Sequence, residues 1–139
     1  KSLIHRIKKN EGYSDKPYKD QLGNYTIGYG HLIKKNENKF FTKRFDKKYF
    51  ENIFILDFNR ALIDYNTILY NRSHQNQEKE LLIEMIFQLG IKGVLKFKKT
   101  LFYLNRKQKY MASLEMLDSL WYKQTPHRVI NLIKNYLKN

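Results

Sequence analysis

Apolar positions at the start of the chain fall at helical spacing, with Leu3, Ile4 and Ile7 on one face. Ser2 stands where a hydroxyl caps such a helix, and Gly12 supplies the left-handed residue that ends one. The period then changes. Tyr18, Tyr25, Ile27 and Tyr29 favour strands, and Leu22-Gly23-Asn24 between them is a turn, so a hairpin is predicted within residues 13–33, with a third short strand at 31–33. Residues 34–45 are basic and carry no period that assigns them. From Asp46, a capping residue, a long helix is predicted to about residue 65, with Ile53, Leu56, Arg60 and Ile63 at helical spacing.

A polar break follows at 71–77, and Leu81, Leu82, Met85 and Ile86 then have the spacing of a buried helix over 78–87. Gly90 and Gly93 interrupt it, and further helices are predicted at 95–103 and 107–117. Thr125-Pro126 reads as a capping hydroxyl followed by proline at the first helical position. The last helix carries Val129, Ile130, Leu132, Ile133, Tyr136 and Leu137. There is no repeat and no low-complexity tract. The pattern is that of one α+β domain over 1–139: a small antiparallel β-lobe at about 13–45, and a larger helical lobe from 1–12 plus 46–139, joined by the long helix.

Composition agrees with a folded chain, because 42% of residues are hydrophobic and 15% aromatic. The absence of cysteine removes disulfides and thiolate metal sites. Four scattered histidines give no metal-binding spacing, so neither a metal nor another cofactor is expected. The net charge of +14, from 27 Lys and Arg against 13 Asp and Glu, favours polyanions: nucleic acid, anionic lipid or an acidic wall polymer. Part of the lysine excess belongs to a Lys-, Asn-, Ile-, Phe- and Tyr-rich composition, which an AT-rich genome produces. No run approaches the ~20 apolar residues of a membrane span, and Lys8 and Lys9 break up any signal-peptide pattern at the start.

The candidate chemistry lies in residues 10–31, NEGYSDKPYKDQLGNYTIGYGH. Cleaving a glycosidic bond takes one carboxylic acid to protonate the leaving oxygen and one carboxylate to activate water. Glu11 ends the first helix, where the negative end of the dipole favours a protonated acid. Asp20 ends the first strand, and Thr26 on the returning strand offers a hydroxyl to hold a water against it. Gly28 and Gly30 leave the backbone open to close approach. On spacing alone, two solvated acids around a hairpin fit these residues as well.

The string Glu11-Gly12, Tyr18-Lys19-Asp20, Gly23 and Thr26-Ile27-Gly28-Tyr29-Gly30-His31 resembles the active-site signature of the T-even phage lysozymes, glycoside hydrolase family twenty-four. Phe87-Gln88-Leu89-Gly90, with Gly93 and Phe97, is similar to the family's central buried helix and its exit. Trp121-Tyr122-Lys123-Gln124-Thr125-Pro126-His127-Arg128 is similar to its C-terminal motif. The three blocks occur in the family's order and span nearly the whole chain.

The resemblance implies a lysozyme-like fold with Glu11 as general acid and Asp20 as base for a water that Thr26 helps position. It implies single displacement with inversion. It also implies that Arg128 orients the acid, that Phe87 and Gln88 line the cleft, and that Tyr25, Gly28 and Gly30 meet substrate on the β side. The implied partner is the glycan strand of peptidoglycan, cut at the β-1,4 bond between N-acetylmuramic acid and N-acetylglucosamine. The implied protein is a monomer acting on the bacterial cell wall, with no nucleic-acid partner and no stable membrane insertion. Two features depart from the family. The segment between His31 and the long helix is shorter, and Leu120 stands where an arginine often precedes the tryptophan.

Several residues have plainer roles. His31 is expected to pair with Asp57, Trp121 to sit in the core rather than stack on sugars, and the basic last helix to pack on the helical lobe. A lytic transglycosylase needs no water-activating partner, so Asp20 with Thr26 argues against it. A cationic wall-binding module without catalysis is the reading from another class.

Overall fold

In the computed structural model, which describes residues 2–138 with the Ser2 side chain excepted, helix α1 (Ser2–Glu11) turns Leu3 and Ile7 inward. Capping by Ser2 lies outside the described residues. The helix ends as expected: Gly12 takes φ 71° and its N–H donates to the Lys8 carbonyl at 2.9 Å. Strands β1 (Ser14–Lys19), β2 (Tyr25–Gly28) and β3 (His31–Leu32) form an antiparallel sheet in that order. Tyr18 stands opposite Thr26 and Thr26 opposite Leu32, while Lys19 faces Tyr25 and Ile27 faces His31. Since side chains alternate, Tyr18, Thr26 and Leu32 share one face of the sheet, and Lys19, Tyr25, Ile27 and His31 share the other. Ile27 packs with Phe40 and Phe50, and Ile33, Phe45 and Tyr49 close over them.

The basic segment 34–45 contains one helical turn, α2 (Lys39–Thr42), anchored by buried Phe40. A single turn is too short to show a helical period in sequence. Helix α3 (Lys47–Asp64) starts where expected, with Asp46 Oδ1 accepting the Tyr49 N–H at 2.9 Å. Its buried stripe is Phe50, Phe54 and Ala61, whereas Leu56 and Ile63 of the expected stripe are 65% and 63% exposed. The stripe that carries two phenylalanines is buried, and the expected one, which includes Arg60, faces outward at Leu56 and Ile63. A π-helical turn, Tyr65–Leu69, follows α3.

Helix α4 (Asn76–Leu95) buries Leu81, Leu82, Met85 and Ile86 as their spacing predicts. It begins earlier than expected because the Glu78 carboxylate accepts the Gln75 N–H at 2.8 Å. Of the two glycines, only Gly90 leaves helical geometry (φ 75°, ψ 158°); Gly93 stays helical against Leu89. Helices α5 (Lys98–Asn105), α6 (Lys109–Leu117), α7 (Leu120–Gln124) and α8 (Pro126–Leu137) complete the chain. Pro126 opens α8 as expected, but the side chain of Thr125, the residue at the cap position, makes no capping hydrogen bond. Its hydroxyl donates backward to the Trp121 carbonyl at 3.2 Å, closing α7 instead. The chain divides into two compact units, Lys1–Arg60 and Ala61–Asn139, with α3 running from one into the other. No helix among the described residues is long and apolar enough to cross a membrane.

Candidate active site

Glu11, Asp20, Thr26, Tyr25, Gly28 and Gly30 stand in the first unit, and Phe87, Gln88 and Arg128 in the second. Glu11 is the last residue of α1, and its half-buried carboxyl lies against the turn between β2 and β3. A Cβ on Gly30 would stand 2.6 Å from Glu11 Cδ and 3.0 Å from its Cγ. Gly28 likewise makes room for the Phe50 ring, whose Cδ1 would be 2.8 Å away. At both glycines, space left by the missing side chain is filled from within the unit.

Asp20 closes the hairpin. Its Oδ1 accepts the N–H groups of Leu22 and Asn24, both at 2.9 Å, its own N–H donates to the Asn24 carbonyl, and Gly23 N–H donates to the Asp20 carbonyl. These are the bonds of an Asx turn, and they fix the plane of the carboxylate. Oδ2 has no hydrogen-bond partner among the described residues. Continuing the pairing past β1 sets Asp20 on the face of Tyr18 and Thr26, diagonal to Thr26. Thr26 is buried and its hydroxyl donates to the Tyr18 carbonyl at 3.3 Å, leaving its oxygen free to accept. Leu32, opposite Thr26 and half-exposed, is an apolar neighbour on that face that the sequence did not single out. Tyr25 is exposed on the other face, where its ring meets Phe41.

His31 pairs with Asp57 as expected, Nδ1 lying 2.7 Å from Oδ2, but a second acid was missed: Nε2 lies 3.0 Å from Glu37 Oε1. Burial pushes the imidazole pKa down, but the hydrogen bonds and charges of Asp57 and Glu37 outweigh it and hold the pKa above the ordinary value. Burial pushes Glu37 up, and the Lys34 N–H with His31 outweighs that, leaving it below the usual carboxylate range. Protonated His31 therefore stabilises the fold fully below its unfolded pKa of about 6.5, and this contribution disappears as pH rises through the higher folded pKa. Glu37's contribution is present above its unfolded pKa and is lost as pH falls through its lower folded value. His31→Asn should cost about 2 kcal/mol at roughly pH 6, and less at alkaline pH, in urea unfolding followed across pH.

In the second unit, Gln88 Oε1 accepts the Trp121 indole N–H at 3.1 Å, and Gln88 Nε2 reaches Thr125 Oγ1 at 3.4 Å. Trp121 is buried, in keeping with a core role, while Phe87 is half-buried. Arg128 Nε donates to Glu84 Oε2 at 3.2 Å. Glu84 is fully buried inside the apolar run of α4 and was missed from sequence. The signal was present, since a charge within a buried stripe demands a partner.

A family model described as phage lysozyme matches residues 8–135. The chain is 36% identical to probable T4-type lysozyme 2 of Dictyostelium discoideum, over 91% of this chain and 88% of that protein. It is 32% identical to probable T4-type lysozyme 1 of the same organism, over 96% and 94% respectively. It is also 30% identical to the pre-baseplate central spike protein Gp5 of Enterobacteria phage T4, over 91% of this chain and 26% of that protein.

Proposed function

Because this chain belongs to the phage lysozyme family, it is a lysozyme-type glycoside hydrolase of peptidoglycan, and we propose that it cuts the β-1,4 bond between N-acetylmuramic acid and N-acetylglucosamine with inversion. Glu11 gives its proton to the leaving glycosidic oxygen. Asp20 Oδ2 takes a proton from the water that attacks the anomeric carbon on the opposite side. Thr26 Oγ1, its own hydrogen committed to Tyr18, accepts the second hydrogen of that water.

The observation that carries this reading is the seating of the Glu11 carboxyl on Gly30, in the same compact unit as an Asp20 whose Oδ1 is pinned by two N–H donors. One acid at the negative end of a helix and one oriented carboxylate are the two parts the reaction takes.

Product analysis tests it. Digestion of purified peptidoglycan should leave reducing muramic ends that appear first as the α-anomer in proton NMR. A β-anomer would mean retention, and predominantly 1,6-anhydromuramic ends would mean a transglycosylase; either overturns the mechanism.

A further inference from the structure

An exposed aromatic pair stands on the sheet face opposite the one that carries Thr26. Tyr25 and Phe41 are 48% and 49% exposed, and their rings meet edge to face, with centroids 5.5 Å apart and planes at 82°. Lys19, opposite Tyr25 in the sheet register, holds its ammonium 5.4 Å from the Tyr25 ring centre. Lys43 and Arg44, both exposed, follow Phe41 directly after Thr42. The pair belongs to the Lys19–Tyr25–Ile27 face of the sheet, opposite the face that carries Thr26. Two half-bare rings are a cost in water that mutual packing only partly offsets. The basic segment 34–45 supplies one of them, and the proposed chemistry makes no use of it.

We infer that Tyr25, Phe41 and Lys19 form a second, non-catalytic hold on the peptidoglycan strand, which takes the apolar C–H faces of sugar rings on the aromatics and wall carboxylates on the lysine. The inference rests on peptidoglycan being the polymer recognised. Charge complementarity selects this occupant: the glycan is a run of sugar rings, every second one carrying an acidic stem peptide, and Tyr25 and Phe41 stand beside the Lys19 ammonium. A bare anionic lipid surface matches the charge and leaves the ring geometry unused.

The test is adsorption of the Glu11→Gln protein to purified insoluble sacculi, measured by sedimentation at several salt concentrations. Adding Phe41→Ala should weaken adsorption roughly fivefold to tenfold, and Phe41→Trp should retain it. Lys19→Gln should weaken it more than Lys79→Gln, which removes the same charge from an exposed position on α4. Unchanged adsorption of Phe41→Ala would overturn the inference. So would equal effects of the two lysine changes, which would leave only net charge. A loss confined to phosphatidylglycerol vesicles would overturn it in favour of a membrane. Sedimentation is read in the cold before the sacculi lose turbidity, so the comparison among variants stands even if the Glu11→Gln protein proves active. That activity would refute the assignment of Glu11 alone.

Discussion

Glu11→Gln is expected to lower lysis of purified peptidoglycan by roughly a thousandfold, within the range by which a positioned general acid accelerates proton transfer. The change keeps the size of the side chain and its capacity to accept hydrogen bonds, so the amide can occupy the same seat over Gly30. It cannot supply the proton that the leaving oxygen takes. The fold should be little affected, so far-ultraviolet circular dichroism and the unfolding midpoint should stay close to wild type while turbidity loss nearly stops. Lysis at the wild-type rate would show that Glu11 is not the acid, whatever the fate of the other residues.

Gly30→Ala should lower activity far more than its loss of stability explains. Gly30 has φ 78°, a conformation that costs an L side chain about 1–2 kcal/mol. The added methyl would also stand 2.6 Å from Glu11 Cδ and 3.0 Å from its Cγ, so the carboxyl must move. A displacement of about 1 Å in a catalytic group can cost on the order of a hundredfold in rate. Gly23→Ala is the matched comparison, because Gly23 has φ 86° but a Cβ there meets nothing within 4 Å. Both variants should lose similar stability in urea unfolding, and only Gly30→Ala should also lose most of its activity. Equal activity in the two would show that the seat on Gly30 does not position Glu11.

Glu11 and Gly30 are each legible in the motif, but their contact is not. Strand formers around Gly23, the cap at Asp46 and the stripe from Leu81 to Ile86 each have one physical solution, and the structure adopts it. Helix α3 has apolar residues on two faces, and periodicity cannot choose between them without knowing what packs alongside. Thr125 before Pro126 spells a cap, yet a hydroxyl can bond backward as readily as forward, and the competing carbonyl of Trp121 is set by α7. In the candidate site, the motif resemblance picked out Glu11, Asp20 and Thr26. The contact between Glu11 and Gly30 and the pairing of Glu84 with Arg128 join distant parts of the chain, and the second acid on His31 comes from an irregular segment with no period, so no local pattern encodes them.

The turn at Asp20 has a consequence for how the two carboxylates are made ready. The donors that aim the proposed base come from Leu22 and Asn24, so its geometry closes over a loop of a few residues and costs little chain entropy. The proposed acid depends on α1 meeting a turn that comes only after two strands, a contact of far higher sequence separation. During folding, the hairpin can set Asp20 early, by local contacts alone, and Glu11 is armed only once the unit has assembled. In the proposed mechanism the base is therefore aimed by its own turn, and the acid is seated only by the tertiary structure of the unit.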